Sequence, residues 1–203
     1  MAKHQTKSSL WLIIAVSVVG GLMFSRFNPS PQPPSINKAI TEETSPNPAT
    51  TLFATSADGE IALEMNQTKG TDTITWTLIA SEGDELAKKI WWQTLPQDTT
   101  MSIPFNTVSP DNKYMFLKQE GAGKTRYVVL TVSGEPIMPE TQTVEFAERF
   151  EAEHPEYKIT EVTGWGGINL IVFNTNKIEG GIGPSFWYEI PSGSFIRLSN
   201  RFE

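Results

Sequence analysis

The sequence predicts a mainly antiparallel β domain carried behind one N-terminal membrane-spanning helix, with a single short helix inside the domain. Three observations predict it. Residues 10–27 form an apolar run behind a basic start. Residues 28–50 hold six of the 14 prolines. From residue 51 onward, short runs of Val, Ile, Thr, Phe, Tyr and Trp alternate with Gly, Asp, Asn and Ser clusters, the pattern of strands and turns. The expected organisation is a cytoplasmic tail (1–9), a transmembrane helix (10–27), a Pro-rich linker (28–50) and an extracytoplasmic β domain (51–203).

The apolar run reads SSLWLIIAVSVVGGLMFSRF from Ser8 to Phe27 and has no charge between Leu10 and Phe24. At about 1.5 Å per residue, roughly 20 residues match the hydrocarbon thickness of a bilayer. Trp11 and Phe27 fall near the two interfaces, where aromatic rings favour the headgroup region. Lys3 and Lys7 precede the run, which places the N-terminus in the cytoplasm; Arg26 opposes this weakly. A cleaved signal peptide has the same basic start and apolar run, but it ends in small residues. Here the run ends in Leu22-Met23-Phe24-Ser25-Arg26-Phe27, which favours an uncleaved anchor in a cell membrane.

The linker NPSPQPPSINKAITEETSPNPAT contains Pro29, Pro31, Pro33, Pro34, Pro46 and Pro48. Proline removes backbone donors and favours extended polyproline conformation. With few large apolar residues, such a segment buries too little surface to fold alone. It is expected to be a disordered, semi-rigid spacer.

Within the outer domain, Ile61 to Met65 is a candidate strand after the Ala57-Asp58-Gly59 turn. Thr73 to Ile79 alternates Thr outward with Ile, Trp and Leu inward. Leu86 to Trp92 follows the turn Ser81-Glu82-Gly83-Asp84. Tyr114 to Leu117 and Arg126 to Val132 flank a turn at Gln119 to Lys124. Leu170 to Phe173 and Phe186 to Ile190 flank Asn174 to Pro184. One helix is expected at Thr143 to Glu153, where Val144, Phe146, Ala147 and Phe150 match helical spacing and Pro155 stops it.

Asn106 to Pro136 reads NTVSPDNKYMFLKQEGAGKTRYVVLTVSGEP. Its order is a Ser109-Pro110-Asp111-Asn112-Lys113 turn, a strand from Tyr114, a hairpin, the strand Tyr127-Val128-Val129-Leu130, and a Ser133-Gly134-Glu135-Pro136 turn. This resembles the repeat of the TolB-like, WD40-like β-propeller families over about 30 residues. Asn112 stands where that repeat usually has Gly, and Asn also tolerates a left-handed backbone. A looser copy spans Val162 to Leu198, and a weaker third copy spans Leu52 to Trp92. The resemblance implies propeller-blade-like antiparallel sheets, about three blades in all. A blade buries its faces only against neighbours, and closed propellers have four to eight blades. An open stack, or one completed by a second copy of the chain in a homo-oligomer, is therefore expected.

The charge pattern excludes some partners. The formal net charge is −7, and Lys3, Lys7 and Arg26 lie at or before the end of the apolar run. Residues 28–203 therefore carry about −10, which repels a phosphate backbone. No nucleic-acid partner is expected. There is no cysteine, so disulfides, thiolate metal sites and a cysteine nucleophile are excluded.

No motif calls for a cofactor, a metal or a catalytic apparatus. Gly121-Ala122-Gly123-Lys124-Thr125 has half of a phosphate-binding loop, but Lys118 replaces the first Gly and a strand follows, so it reads as a hairpin turn. His154 among Glu151, Glu153 and Glu156 reads as a solvated helix end. Asn66-Gln67-Thr68 has the form of a glycosylation sequon, which chance alone also produces. Trp91, Trp92, Trp165 and Trp187 are the candidate ligand or partner surface, with packing between blades as the competing role. Gly164, Gly166 and Gly167 around Trp165 are expected to leave it exposed in a loop. The expected function is a non-enzymatic, membrane-anchored module for protein–protein interaction or assembly at the cell envelope. The alternative is an envelope carbohydrate-binding or carbohydrate-acting protein, which exposed, coplanar Trp rings beside a carboxylate would favour.

Overall fold

The structure, a computed structural model, describes residues 50–202. The expected tail, membrane helix and linker lie outside the described residues, apart from Thr50. Among the described residues no helix is long and apolar enough to cross a membrane.

Among the described residues, twelve strands and one helix follow one another. They are β1 (Thr51–Thr55), β2 (Ile61–Lys69), β3 (Thr73–Glu82), β4 (Lys88–Pro96), β5 (Thr100–Ser102), β6 (Tyr114–Gly121) and β7 (Lys124–Thr131). After these come β8 (Val144–Glu145), α1 (Ala147–Glu153), β9 (Tyr157–Trp165), β10 (Leu170–Lys177), β11 (Ile182–Glu189) and β12 (Ser194–Arg197). They form three four-stranded antiparallel sheets in which every strand pairs with its neighbour in sequence: β1-β2-β3-β4, β5-β6-β7-β8 and β9-β10-β11-β12. The fold is therefore mainly β, three consecutive meanders with one short helix between the second and third.

The strands form where the sequence alternates. In β3, Ile74, Trp76, Leu78 and Ala80 are buried, while the threonines between them stay at the surface. The register carries this across the sheet, with Met65 opposite Leu78 and Leu78 opposite Trp91. β4 breaks the alternation, because Ile90 and Trp91 are consecutive and both buried. A register shift between Leu78 and Ile79 explains this. The extra residue of a bulge lets two neighbours turn to one side.

The hairpin between β6 and β7 is tight. Gly121 pairs with Lys124, and Ala122 and Gly123 both have positive φ, 50° and 73°. A two-residue turn with two left-handed residues matches the twist of the flanking strands. The phosphate-loop-like segment is thus a hairpin, as its following strand implied.

The second sheet is the middle layer. In β6, Met115 and Leu117 join the core shared with the first sheet, while Tyr114 and Phe116 join the core shared with the third. In β7, Leu130 faces the first core, and Tyr127 and Val129 face the second. A strand covered on both faces needs apolar residues at every position, which is why YMFL and YVVL read as continuous runs rather than alternating ones.

Helix α1 is shorter than expected. Val144 and Glu145 form β8 and pair with Val129 and Val128 of β7, so edge pairing takes the residues that helical spacing assigned to a first turn. Seven residues are too few for a stable isolated helix. Burial of Ala147 and Phe150 holds it instead. Phe150 meets Phe173, Phe186 and Phe195 edge-on at centroid distances of 4.9, 4.8 and 5.2 Å, a favourable aromatic arrangement.

Candidate functional site

The two outermost sheet faces differ. On the third sheet, the outward residues Asn174 and Ser185 are buried where the chain after β12 crosses over them, and Val172 is buried beside Gly166. The Asn174 amide donates to the Phe202 carbonyl at 2.8 Å, and the Phe202 N–H donates to the Ser185 hydroxyl oxygen at 2.9 Å. Ser185 in turn donates to Asn174 Oδ1 at 2.5 Å. The Arg201 guanidinium donates to the Thr175 carbonyl at 2.7 Å. Buried side chains thus replace a strand partner for the last residues of the chain. Trp187 is half-buried in the same region, close to Gly166 and the segment from Leu198 to Phe202.

The first sheet turns an open face outward. The register places four residues side by side in one row: Phe53, Glu64, Ile79 and Lys89. The next row is Thr51, Asn66, Thr77 and Trp92, and the third holds Thr68, Thr75 and Thr94. Phe53 is 74 % and Trp92 60 % exposed. Lys89 lies 5.9 Å from the Trp92 ring centroid, within cation–π range. The polar residues are tied into the sheet. Thr51 donates to Asn66 Oδ1 at 2.6 Å, Asn66 Nδ2 donates to Glu64 at 2.7 Å, and Thr75 and Thr94 share a bond of 2.9 Å. This face is ordered, mixed in polarity and free of net charge in its strand rows. Beside it, a recess of about 480 Å³ is lined by Lys89, Trp91, Trp92, Gln93, Gln142 and Thr143, among others, with no carboxylate.

The four tryptophans that the sequence nominates do not converge. Trp91 is buried between the first and second sheets. Trp92, its neighbour, points to the open face. Trp165 is not an exposed loop residue. It ends β9 half-buried against the second core, its ring centroid 5.8 Å from Phe116, with its indole N–H donating to the Thr107 carbonyl at 3.3 Å. The glycines around it bring it close to other chain segments rather than freeing it. Gly164 has φ 133° and lies tight against Asn106, where an added Cβ would sit 3.2 Å from the Asn106 Cβ. His154 also departs from expectation. It caps the helix C-terminus, and its half-buried ring packs 5.0 Å from Phe150 and 5.1 Å from Phe186.

Two turns show an internal equivalence that the sequence reading did not align. Before β6, the Ser109 hydroxyl donates to Asp111 and accepts from the Tyr114 N–H, at 2.7 and 2.9 Å. Before β2, Ser56 donates to Asp58 and accepts from the Ile61 N–H, at 2.5 and 2.9 Å. Asn112 and Gly59 take the same left-handed position, φ 57° and 81°. The signal was present as Ser-Ala-Asp-Gly against Ser-Pro-Asp-Asn. The two turns also touch, since the Asn112 amide donates to Asp58 Oδ2 at 2.8 Å. The Ser56 hydroxyl first, then the Glu60 N–H and the Asn112 amide, hold the Asp58 carboxyl below its ordinary value near 3.8.

A third feature is a charged cleft of about 290 Å³ between α1 and the β6–β7 hairpin. Its ions neutralise one another. Lys118 pairs with Glu120 at 2.8 Å, and Arg126 and Lys124 both reach Glu148, at 2.9 and 3.6 Å. The hydrogen bond to Glu120 raises the Lys118 pKa. Burial raises the phenol of Tyr127 above its ordinary value, against a backbone hydrogen bond from Val162. Burial likewise raises Tyr188. Among the described residues no group of three or more His, Cys, Asp or Glu side chains is placed to hold a metal ion. No family model, curated protein or solved structure matches the chain.

Proposed function

We propose that this chain is a membrane-tethered, extracytoplasmic module of three stacked, propeller-blade-like sheets that acts by protein–protein interaction at the cell envelope. The observation that carries this reading is the open outer face of the first sheet. Among the described residues, the other sheet faces are covered by a neighbouring sheet or, in part, by residues 198–202. An ordered face that keeps Phe53 and Trp92 in solvent is the surface to expect of a binding partner. The N-terminal anchor would confine the module to the membrane, and the linker would set its reach. The three meanders, the twin Ser-x-Asp turns and the resemblance of residues 106–136 to the TolB-like repeat support the blade reading. The bonds of Arg201 and Phe202 to Asn174, Thr175 and Ser185 occupy part of the outer face of the third sheet, which favours an open stack over a ring closed through that face.

The carbohydrate alternative gains less support. A sugar platform uses coplanar exposed rings with a carboxylate beside them. Here Trp76 and Trp91 are core residues, Trp165 and Trp187 are half-buried on opposite faces of the third sheet, and the recess at Trp92 has no acid in its lining. Affinity capture from envelope membranes with the full chain in mild detergent, beside a glycan array on the same protein, tests the reading. Specific protein capture that falls away for Phe53→Ala/Trp92→Ala is expected. Glycan binding that the same double variant abolishes, with no protein capture, would replace it with the alternative.

A further inference from the structure

We propose that the open face of the first sheet binds a second copy of this chain, packing sheet to sheet across a two-fold axis that runs along β3. The inference rests on the interaction reading above and names its partner. It follows from how the outward rows are laid out.

The face has three aligned rows across β2, β3 and β4: Glu64–Ile79–Lys89, Asn66–Thr77–Trp92 and Thr68–Thr75–Thr94. A two-fold axis between two such faces, lying over β3, superposes each row on itself reversed. Ile79 then meets Ile79 of the second copy, Thr77 meets Thr77 and Thr75 meets Thr75. Glu64 lies opposite Lys89 of the second copy, and Lys89 opposite its Glu64. Trp92 lies over Asn66 of the second copy and beside its Phe53, at the rim where both rings leave solvent. The only charges in these rows are one acid and one base, placed on either side of the axis. Such an isologous contact is the commonest form of self-association. The arrangement is informative because the whole chain carries −7, so most of its surface repels another copy. The open face is where that repulsion is absent and a two-fold pairs opposite charges.

The dimensions suffice. Sheets pack about 10 Å apart with strands inclined by about 30°, so β3 lies about 15° from the axis. Three strands of about nine residues cover roughly 14 Å by 30 Å, or on the order of 400 Å² in plan per copy. Trp92 adds on the order of 150 Å². The total for two copies reaches about 1,100 Å², near the lower bound of specific interfaces. This predicts a dissociable dimer, strengthened when a membrane tether raises the local concentration.

The test uses the full chain in mild detergent, with mass measured by light scattering and sedimentation across a concentration series. A monomer–dimer equilibrium is expected. Glu64→Lys and Lys89→Glu should each weaken it by at least about tenfold, since like charges then face each other. The double variant Glu64→Lys/Lys89→Glu should return to within about threefold of the parent, and each single variant should keep the parent's circular dichroism spectrum. Because the parent has no cysteine, Thr77→Cys marks the axis alone. A short bis-maleimide should join two Thr77→Cys chains and leave Ser194→Cys chains unjoined. Light scattering that shows a monomer at every concentration would overturn the proposal, as would a dimer indifferent to both single reversals. If the chain is monomeric while Phe53→Ala/Trp92→Ala still abolishes capture of another protein, the interaction reading stands and only the second copy is wrong.

Discussion

Truncating Met115 and Phe116 to alanine, singly and together, tests the stacking of the three sheets. The two residues are adjacent in β6, and neither has any exposed surface. Met115 packs in the core between the first and second sheets, Phe116 in the core between the second and third. In a two-layer sandwich, one of two consecutive strand residues would face water, and its truncation would be nearly silent. In three layers both are costly. Truncation of buried Met to Ala costs about 3 kcal/mol, and of buried Phe to Ala about 4 kcal/mol. The two side chains lie in separate cores, so the costs should add apart from a coupling of about 0.5–1 kcal/mol through their shared backbone. The double variant then loses about 7 kcal/mol, comparable with the whole stability of a domain of this size. On β3 the contrast is built in. Leu78→Ala should cost about 3 kcal/mol, while Thr77→Ala on the open face should stay within about 0.5 kcal/mol. Guanidinium unfolding followed by tryptophan fluorescence reads all five, at concentrations low enough to hold the chain monomeric. At about 2–4 °C per kcal/mol, thermal midpoints should fall by about 6–12 °C for Met115→Ala and about 8–16 °C for Phe116→Ala. If either single variant costs less than about 1 kcal/mol, the second sheet has a bare face and the three-layer account fails.

Other expectations follow from single contacts. Ser185→Ala removes the acceptor of the Phe202 N–H and a partner of Asn174. Amide hydrogen exchange should speed up across residues 198–202 while the β6 and β7 amides keep their protection; unchanged exchange at the chain end would show that the clamp does not hold it. Ser109→Ala removes one donor and one acceptor from the turn before β6 and should cost about 1–2 kcal/mol in denaturant titrations, with Ser56→Ala behaving alike if the two turns are equivalent. Asp58 has a depressed folded pKa, so its stabilising effect is present above its unfolded value near 3.8 and is lost as pH falls through the lower folded value. The unfolding midpoint of the parent should therefore drop over that acid window more steeply than that of Asp58→Asn, and equal slopes would deny the group any role. Phe150→Leu keeps much of the volume but loses three edge-on ring contacts; a cost of about 1–2 kcal/mol is expected, against about 4 kcal/mol for Phe150→Ala, and equal costs would remove the aromatic geometry from the account.

Strand and turn positions were legible along the chain because they depend on local chemistry. Alternation in Thr73 to Ile79, left-handed turn residues at Asn112 and Gly123, and the helix stop at Pro155 each act within a few residues. The candidate surface was less legible. Trp91 and Trp92 are neighbours with equal claims by composition, yet a bulge in β4 puts the first in the core and the second in solvent. Phe53, Glu64, Ile79 and Lys89 lie on four strands and become one row only through register, which hydrogen bonding between distant segments decides. Trp165 looked free among glycines. Those glycines instead let the chain come close enough for its ring to pack against Phe116.

What the sequence determined by itself is the local code: which segments extend and where they turn, with Tyr114 to Leu117 and Tyr127 to Leu130 among the strands. Only the tertiary structure decided which sheet lies in the middle, that β8 displaces the first turn of the expected helix, that Asn174 and Ser185 clamp the chain end, and that one face of the first sheet is left open. The physical reason is range. Backbone preference and side-chain periodicity are written within a few residues, whereas exposure is a property of what distant segments happen to cover.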